Sequence, residues 1–182
     1  MLHGLRRWLT WANLLTAIRA GVIVPTCYAI LNQAWIMAAL LFTTAVITDI
    51  FDGKVARRLN QTSPFGGLFD HSTDAAFVSL GCWAFASQDT INMVLPALII
   101  LAFIQYMLDS KALAGVALRM SAIGRSNGVA YYILVGTLIG AQVLDWQWLL
   151  QITGYAAWLL VLTSGLSMLD RAVTLFRQTG EH

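Results

Sequence analysis

Apolar runs that approach the length of a bilayer crossing recur along this whole chain, and nothing else in the sequence restricts its fold as much. A helix crossing the hydrocarbon needs about 20 mostly apolar residues. Six such segments can be read, near Trp11–Leu31, Ala34–Asp49, Leu68–Ser87, Ile91–Leu108, Gly128–Leu144 and Trp146–Leu169. Polar breaks separate them at Asn32-Gln33, Lys54–Pro64, Ser87–Thr90, Asp109–Ser126 and Asp145. Charged residues make up 11% of the 182 positions, less than half of the roughly 25% usual in soluble domains. The expectation is an all-α integral membrane protein of six transmembrane helices, a single domain over residues 1–182, with no repeat or linker dividing it.

Charge then orients the spans. All eleven Lys and Arg residues fall on one side. Arg6, Arg7 and Arg19 precede or enter the first segment, and Lys54, Arg57 and Arg58 follow the second. Lys111, Arg119 and Arg125 follow the fourth, and Arg171 and Arg177 follow the sixth. The alternate loops hold none, so the positive-inside rule predicts both termini in the cytoplasm. Arg19 is expected near the cytoplasmic end of its helix, its long side chain snorkelling to the interface. The net charge of +2 adds little, and no nucleic-acid partner is expected.

The chemistry gathers between Asp49 and Asp74, where four of the nine acidic residues occupy 26 positions. The apolar run before it, Ala34 to Thr48, is short, so its helix is expected to continue past Asp49 into the interface. On that helix Asp49, Asp52, Gly53, Ala56 and Arg57 form one stripe at helical spacing. Gly66, Asp70 and Asp74 form a second stripe on a return helix opened by Gly66, with Ser63 and Pro64 marking the loop. His71 points about 100° away from the acids by the helical period. A hairpin of this kind turns two carboxylate pairs toward each other at the cytoplasmic face.

Four clustered carboxylates near lipid need cations. All-oxygen donors point to Mg²⁺ or Mn²⁺, and two ions so held can bind a diphosphate and stabilise attacking and leaving oxygens. His3, His71 and His182 form no cluster and Cys27 and Cys82 no CxxC pair, which argues against zinc. Gly53 and Ala56 leave room for a bulky ligand such as a nucleotide, and Arg57 offers a forked cation suited to phosphate.

The pattern Asp49-x2-Asp52-Gly53-x2-Ala56-Arg57-x8-Gly66-x3-Asp70-x3-Asp74 resembles the signature of the CDP-alcohol phosphatidyltransferases at all eight fixed positions. The resemblance implies that the four aspartates surround two divalent ions and that Asp74 is the general base for the acceptor hydroxyl. It implies a CDP-lipid site lined by Gly53, Ala56, Arg57 and Gly66, with the Ser63 hydroxyl reaching the nucleotide phosphates. Asn13-x2-Thr16-x2-Arg19 looks like a pattern near the nucleotide pocket of relatives, although helix capping accounts for Asn13 or Thr16 almost as well. A homodimer in a bacterial inner membrane is also implied. The expected reaction moves a phosphatidyl group from a CDP-lipid to a small alcohol and releases CMP, with no covalent intermediate.

The acceptor stays open at this level. Lys111, Arg119 and Arg125 lie on the acidic face and suit an anionic acceptor, glycerol 3-phosphate or an inositol phosphate, but positive-inside topology explains them as well. Two other readings compete. A membrane prenyltransferase also uses aspartate-rich motifs, though in distant loops. A divalent-cation transporter would carry its carboxylates near the midplane.

Overall fold

A computed structural model describes residues 10–59, 63–109 and 122–179, and within them the chain is helical. The helices are α1 (Trp11–Leu31), α2 (Trp35–Arg58), α3 (Pro64–Ala86), α4 (Val94–Asp109), α5 (Ala122–Val143) and α6 (Gln147–Thr179). Each matches one expected segment. As anticipated, α2 runs on past Asp49, by nine residues to Arg58. The sixth helix also overshoots its expected end at Leu169 and continues to Thr179.

The return helix α3 begins at Pro64, which corrects the expectation that Gly66 opens it. Ser63 is its N-cap, and the side-chain oxygen accepts the Gly66 N–H at 3.0 Å. Proline suits the first helical position because its missing N–H would have no partner there. Gly66 therefore lies inside the first turn as a capped donor.

The three described short connections share one construction. Gln33, Asp89 and Asp145 each take a left-handed backbone, with φ of 56°, 56° and 52°. The next amide in each case bonds the carbonyl five residues back: Ala34 to Ala29, Thr90 to Phe85 and Trp146 to Ala141, at 2.8, 3.1 and 2.9 Å. This closing bond satisfies carbonyls that a helix end leaves bare. The three turns cap the bundle at the end away from the aspartates.

Helix α1 packs on α2 and α3, α5 packs on α6, and α4 lies against α3 and α6. Buried side chains of α1 to α5, among them Ile30, Phe77, Phe85, Leu95, Val135 and Leu138, form the core. Phe42, Phe77 and Tyr132, from α2, α3 and α5, stack with centroids 5.7–6.4 Å apart. The outside is also apolar, with Val24, Ile36, Leu40, Ile133 and Leu159 all more than half exposed. Water would penalise such a surface and hydrocarbon would not. Three stretches, Asn13–Leu31, Trp35–Val55 and Gln147–Val173, are long and apolar enough to cross a membrane. These spans mark a membrane protein.

Candidate active site

The carboxylates of the two stripes do meet. Asp49 and Asp52 leave the C-terminal half of α2, and Asp70 and Asp74 leave the first half of α3. Between them lies a group that sequence reasoning placed elsewhere, the guanidinium of Arg19. It does not snorkel. Arg19 sits eight residues into α1, about 12 Å along the axis at 1.5 Å per residue. Its side chain is fully enclosed and turns inward to the acids.

The fork of the guanidinium divides its contacts. Nη1 pairs with Asp49 Oδ1 and lies 3.0 Å from Asp74 Oδ1. Nη2 donates to Asp52 Oδ2 at 2.9 Å and pairs with Asp70 Oδ1. A planar, always-charged donor can serve several carboxylates at once, which an ammonium cannot match. Thr16, one turn earlier on α1, donates to the same Asp52 oxygen at 3.2 Å. That replaces the capping explanation for Thr16. The cap of α1 is Thr10, whose hydroxyl accepts the Asn13 N–H at 3.1 Å, so Asn13 is not the cap either.

Asn13 instead faces the second stripe. A Cβ on Gly66 would stand 3.2 Å from Asn13 Oδ1 and 3.1 Å from Ser63 Oγ, so only hydrogen fits there without displacement. Ser63, Gly66 and Asn13 thus form one cluster beside the aspartates. The Ser63 oxygen is used in the cap, yet its own O–H proton remains available to a phosphate. Gly53 is half-buried on α2, and the backbone of Ala56 and Arg57 continues the same helix. The side chains of Ala56 and Arg57 lie outside the described atoms, as do residues Lys111 and Arg119 altogether.

One arginine against four carboxylates leaves three formal negative charges uncompensated. Asp49, Asp52 and Asp70 each offer an oxygen, all within 4.8 Å of one another. A hard, all-oxygen donor set of this size fits Mg²⁺ or Mn²⁺. Asp70 and Asp74 form a second such group with His71. The helical period set His71 away from the stripe, but its side chain reaches the same space.

A cavity of about 270 Å³ opens beside the acids, with Asp49, Asp74 and His71 on one wall. Arg125 from α5 and Arg171 from α6 are on its other walls. Arg171 lies over the Tyr106 ring, 4.9 Å from its centroid, and His71 meets the same ring edge-on at 6.1 Å. Tyr132 donates its hydroxyl to Asp74 Oδ1 at 2.9 Å. Deeper in the wall, Tyr131 and Ser164 share a 2.5 Å hydrogen bond, and Gln105 Nε2 donates to the Met168 carbonyl at 3.0 Å. Of the acceptor candidates, Arg125 is therefore at the cavity. Arg171, Tyr106, Tyr132 and Arg19 were not singled out for the chemistry. The signal for Arg19 was present, since a lone cation two turns inside an apolar helix requires a partner.

Comparison with known proteins bears on this geometry. The CDP-alcohol phosphatidyltransferase family profile matches residues 9–167. A CDP-diacylglycerol–glycerol-3-phosphate 3-phosphatidyltransferase of Sodalis glossinidius is 28% identical over 138 residues, covering 71% of this chain and 75% of that protein. A protein of the same description from Rickettsia typhi is 34% identical over 56% of this chain and 54% of its own length. A putative cardiolipin synthase of Mycobacterium bovis is 37% identical over 40% of this chain, and only 35% of that relative is spanned. The converging aspartates, the small residues beside them and a match over most of the sequence agree: the chain belongs to the CDP-alcohol phosphatidyltransferase family.

Proposed function

We propose that the chain transfers the phosphatidyl group of CDP-diacylglycerol to glycerol 3-phosphate, with release of CMP. Membership of the family leaves no place for the prenyltransferase or cation-transporter readings. The observation that carries the proposal is the cavity that joins the Asp74 carboxylate to two arginines, Arg125 and Arg171. An acceptor bearing one phosphate and one reactive hydroxyl suits those two poles. The Sodalis and Rickettsia relatives, whose descriptions name glycerol 3-phosphate, support this choice over an inositol phosphate.

Asp49, Asp52, Asp70 and Asp74 would hold two ions, Mg²⁺ or Mn²⁺, which neutralise the diphosphate and its leaving group when bound. Gly53, Ala56, Arg57, Ser63, Gly66, Asn13 and Thr16 would line the CDP-lipid side. Arg125 and Arg171 would hold the acceptor phosphate, with Lys111 and Arg119 near the same face. Asp74 takes the proton of the acceptor hydroxyl as its oxygen forms a bond to the lipid-bearing phosphorus. The bond from that phosphorus to the CMP oxygen breaks, and CMP departs. The molecule would cross the bacterial inner membrane six times with both termini and the site on the cytoplasmic side, as a homodimer.

The test is CMP release by purified protein in detergent with CDP-diacylglycerol and Mg²⁺ or Mn²⁺. Glycerol 3-phosphate, inositol 1-phosphate, inositol, serine and phosphatidylglycerol form the acceptor panel. Glycerol 3-phosphate should give the fastest release, and Asp74→Asn should abolish it while leaving fold and nucleotide binding intact. Faster release with any other acceptor overturns the acceptor assignment, and full activity of Asp74→Asn overturns the base.

A further inference from the structure

Asp74 is held in an asymmetric way. Both of its described polar contacts, the Tyr132 hydroxyl at 2.9 Å and Arg19 Nη1 at 3.0 Å, fall on Oδ1. Among the described residues, Oδ2 accepts no hydrogen bond, and Asp74 lines the cavity. A carboxyl group turns easily about its last torsion, which has a broad, two-fold profile. Two donors on one oxygen remove that freedom and fix which oxygen is left for a ligand.

Tyr132 is itself held in place. Its ring stacks on Phe77 at 5.7 Å with planes 9° apart, and Phe42 packs against both rings. The three rings come from three helices, so the phenol oxygen has little freedom to move. A phenylalanine at position 132 would serve that stack equally well. The hydroxyl adds one contact, and it goes to Asp74.

We propose that Tyr132 is a positioning residue for the transfer step: with Arg19 it holds Asp74 by Oδ1, so that Oδ2 faces the acceptor hydroxyl and receives its proton. This rests on the reading of Asp74 as the base. Tyr132 touches neither substrate nor the reacting atoms. Its influence passes through Asp74 and should be confined to the step in which the proton moves.

The experiment is steady-state kinetics of Tyr132→Phe with CDP-diacylglycerol, glycerol 3-phosphate and Mg²⁺, alongside thermal unfolding in the same detergent. The kcat should fall about 10- to 100-fold, the size of one hydrogen bond to a charged group made at the transition state. Both KM values should stay within about twofold, because no ground-state contact is lost. Tyr132→Met, which also lacks the hydroxyl, should show the same split if the first variant folds poorly. In an Asp74→Asn background, adding Tyr132→Phe should change residual CMP release by less than about twofold, since residues acting as one unit are not additive. An unchanged kcat in Tyr132→Phe, a loss carried by KM, or a further large drop in the double variant overturns the proposal. Full activity of Asp74→Asn alone instead removes the base reading beneath it, so the two failures are distinguishable.

Discussion

Substituting Arg19 by methionine keeps an unbranched apolar stem on α1 and removes the guanidinium from among four carboxylates. Breaking a buried ion pair by deleting one partner costs about 3–5 kcal/mol, because the remaining charge stays desolvated. Here Arg19 is fully enclosed and Asp52 nearly so, while the Asp49 side chain is 40% exposed. Water screens that outer carboxylate, so the lower end, about 3 kcal/mol, is the figure to use. For a chain of 182 residues each kcal/mol moves Tm by about 2–4 °C. Arg19→Met should then unfold about 6–12 °C earlier than the parent in a chelator, followed by tryptophan fluorescence in detergent.

The second half of the experiment adds Mg²⁺. A ligand that binds only the folded state raises Tm by mass action. Without the guanidinium the aspartates carry one more uncompensated charge, so a given Mg²⁺ concentration should raise Tm further in the variant than in the parent. An unchanged Tm in chelator would refute the burial of Arg19 among the four acids. A smaller Mg²⁺ shift in the variant would refute the idea that guanidinium and divalent ion answer the same charge.

Other outcomes follow from the same geometry. Arg171→Ala should raise KM for glycerol 3-phosphate about 10-fold or more and leave KM for CDP-diacylglycerol alone, and Arg171→Lys should recover part of it because the charge survives without the stack on Tyr106. Gly136→Ala places a Cβ 2.8 Å from Phe42 Cζ, inside the ring stack, and should cost about 1–3 kcal/mol in thermal unfolding. Gly140→Ala, one turn further along α5, meets nothing within 4 Å and should be neutral or up to about 1 kcal/mol stabilising, as the helix propensity of alanine dictates.

The parts of this site that a sequence shows are those set by local periodicity. Asp49 and Asp52, then Asp70 and Asp74, recur at three- and four-residue spacings, and a short polar loop between two helices folds one pair onto the other. What joins them comes from further away. Arg19 lies 30 residues before Asp49, and Tyr132 lies 58 after Asp74. No helical period relates such positions, so their contacts depend on how α1 and α5 pack. His71 shows the limit from the other side, since a 100° offset at the backbone does not prevent a ring from reaching the same cavity. The extension of α6 escaped notice for a simpler reason. Its last turns are polar, and an apolar run ends where lipid ends rather than where the helix does.

That extension sets a height. At 1.5 Å per residue the 33 residues of α6 measure about 50 Å, some 20 Å more than a hydrocarbon layer of about 30 Å. One unbroken rod therefore carries Arg171 at a constant level relative to the tryptophans at its far end, Trp146 and Trp148. A diacylglycerol substrate is confined to the lipid and a phosphorylated alcohol to the water, so the two can meet only in a thin slab. A stiff helix running through both phases works as a gauge, keeping the acceptor's anchor in register with that slab however the surrounding loops move.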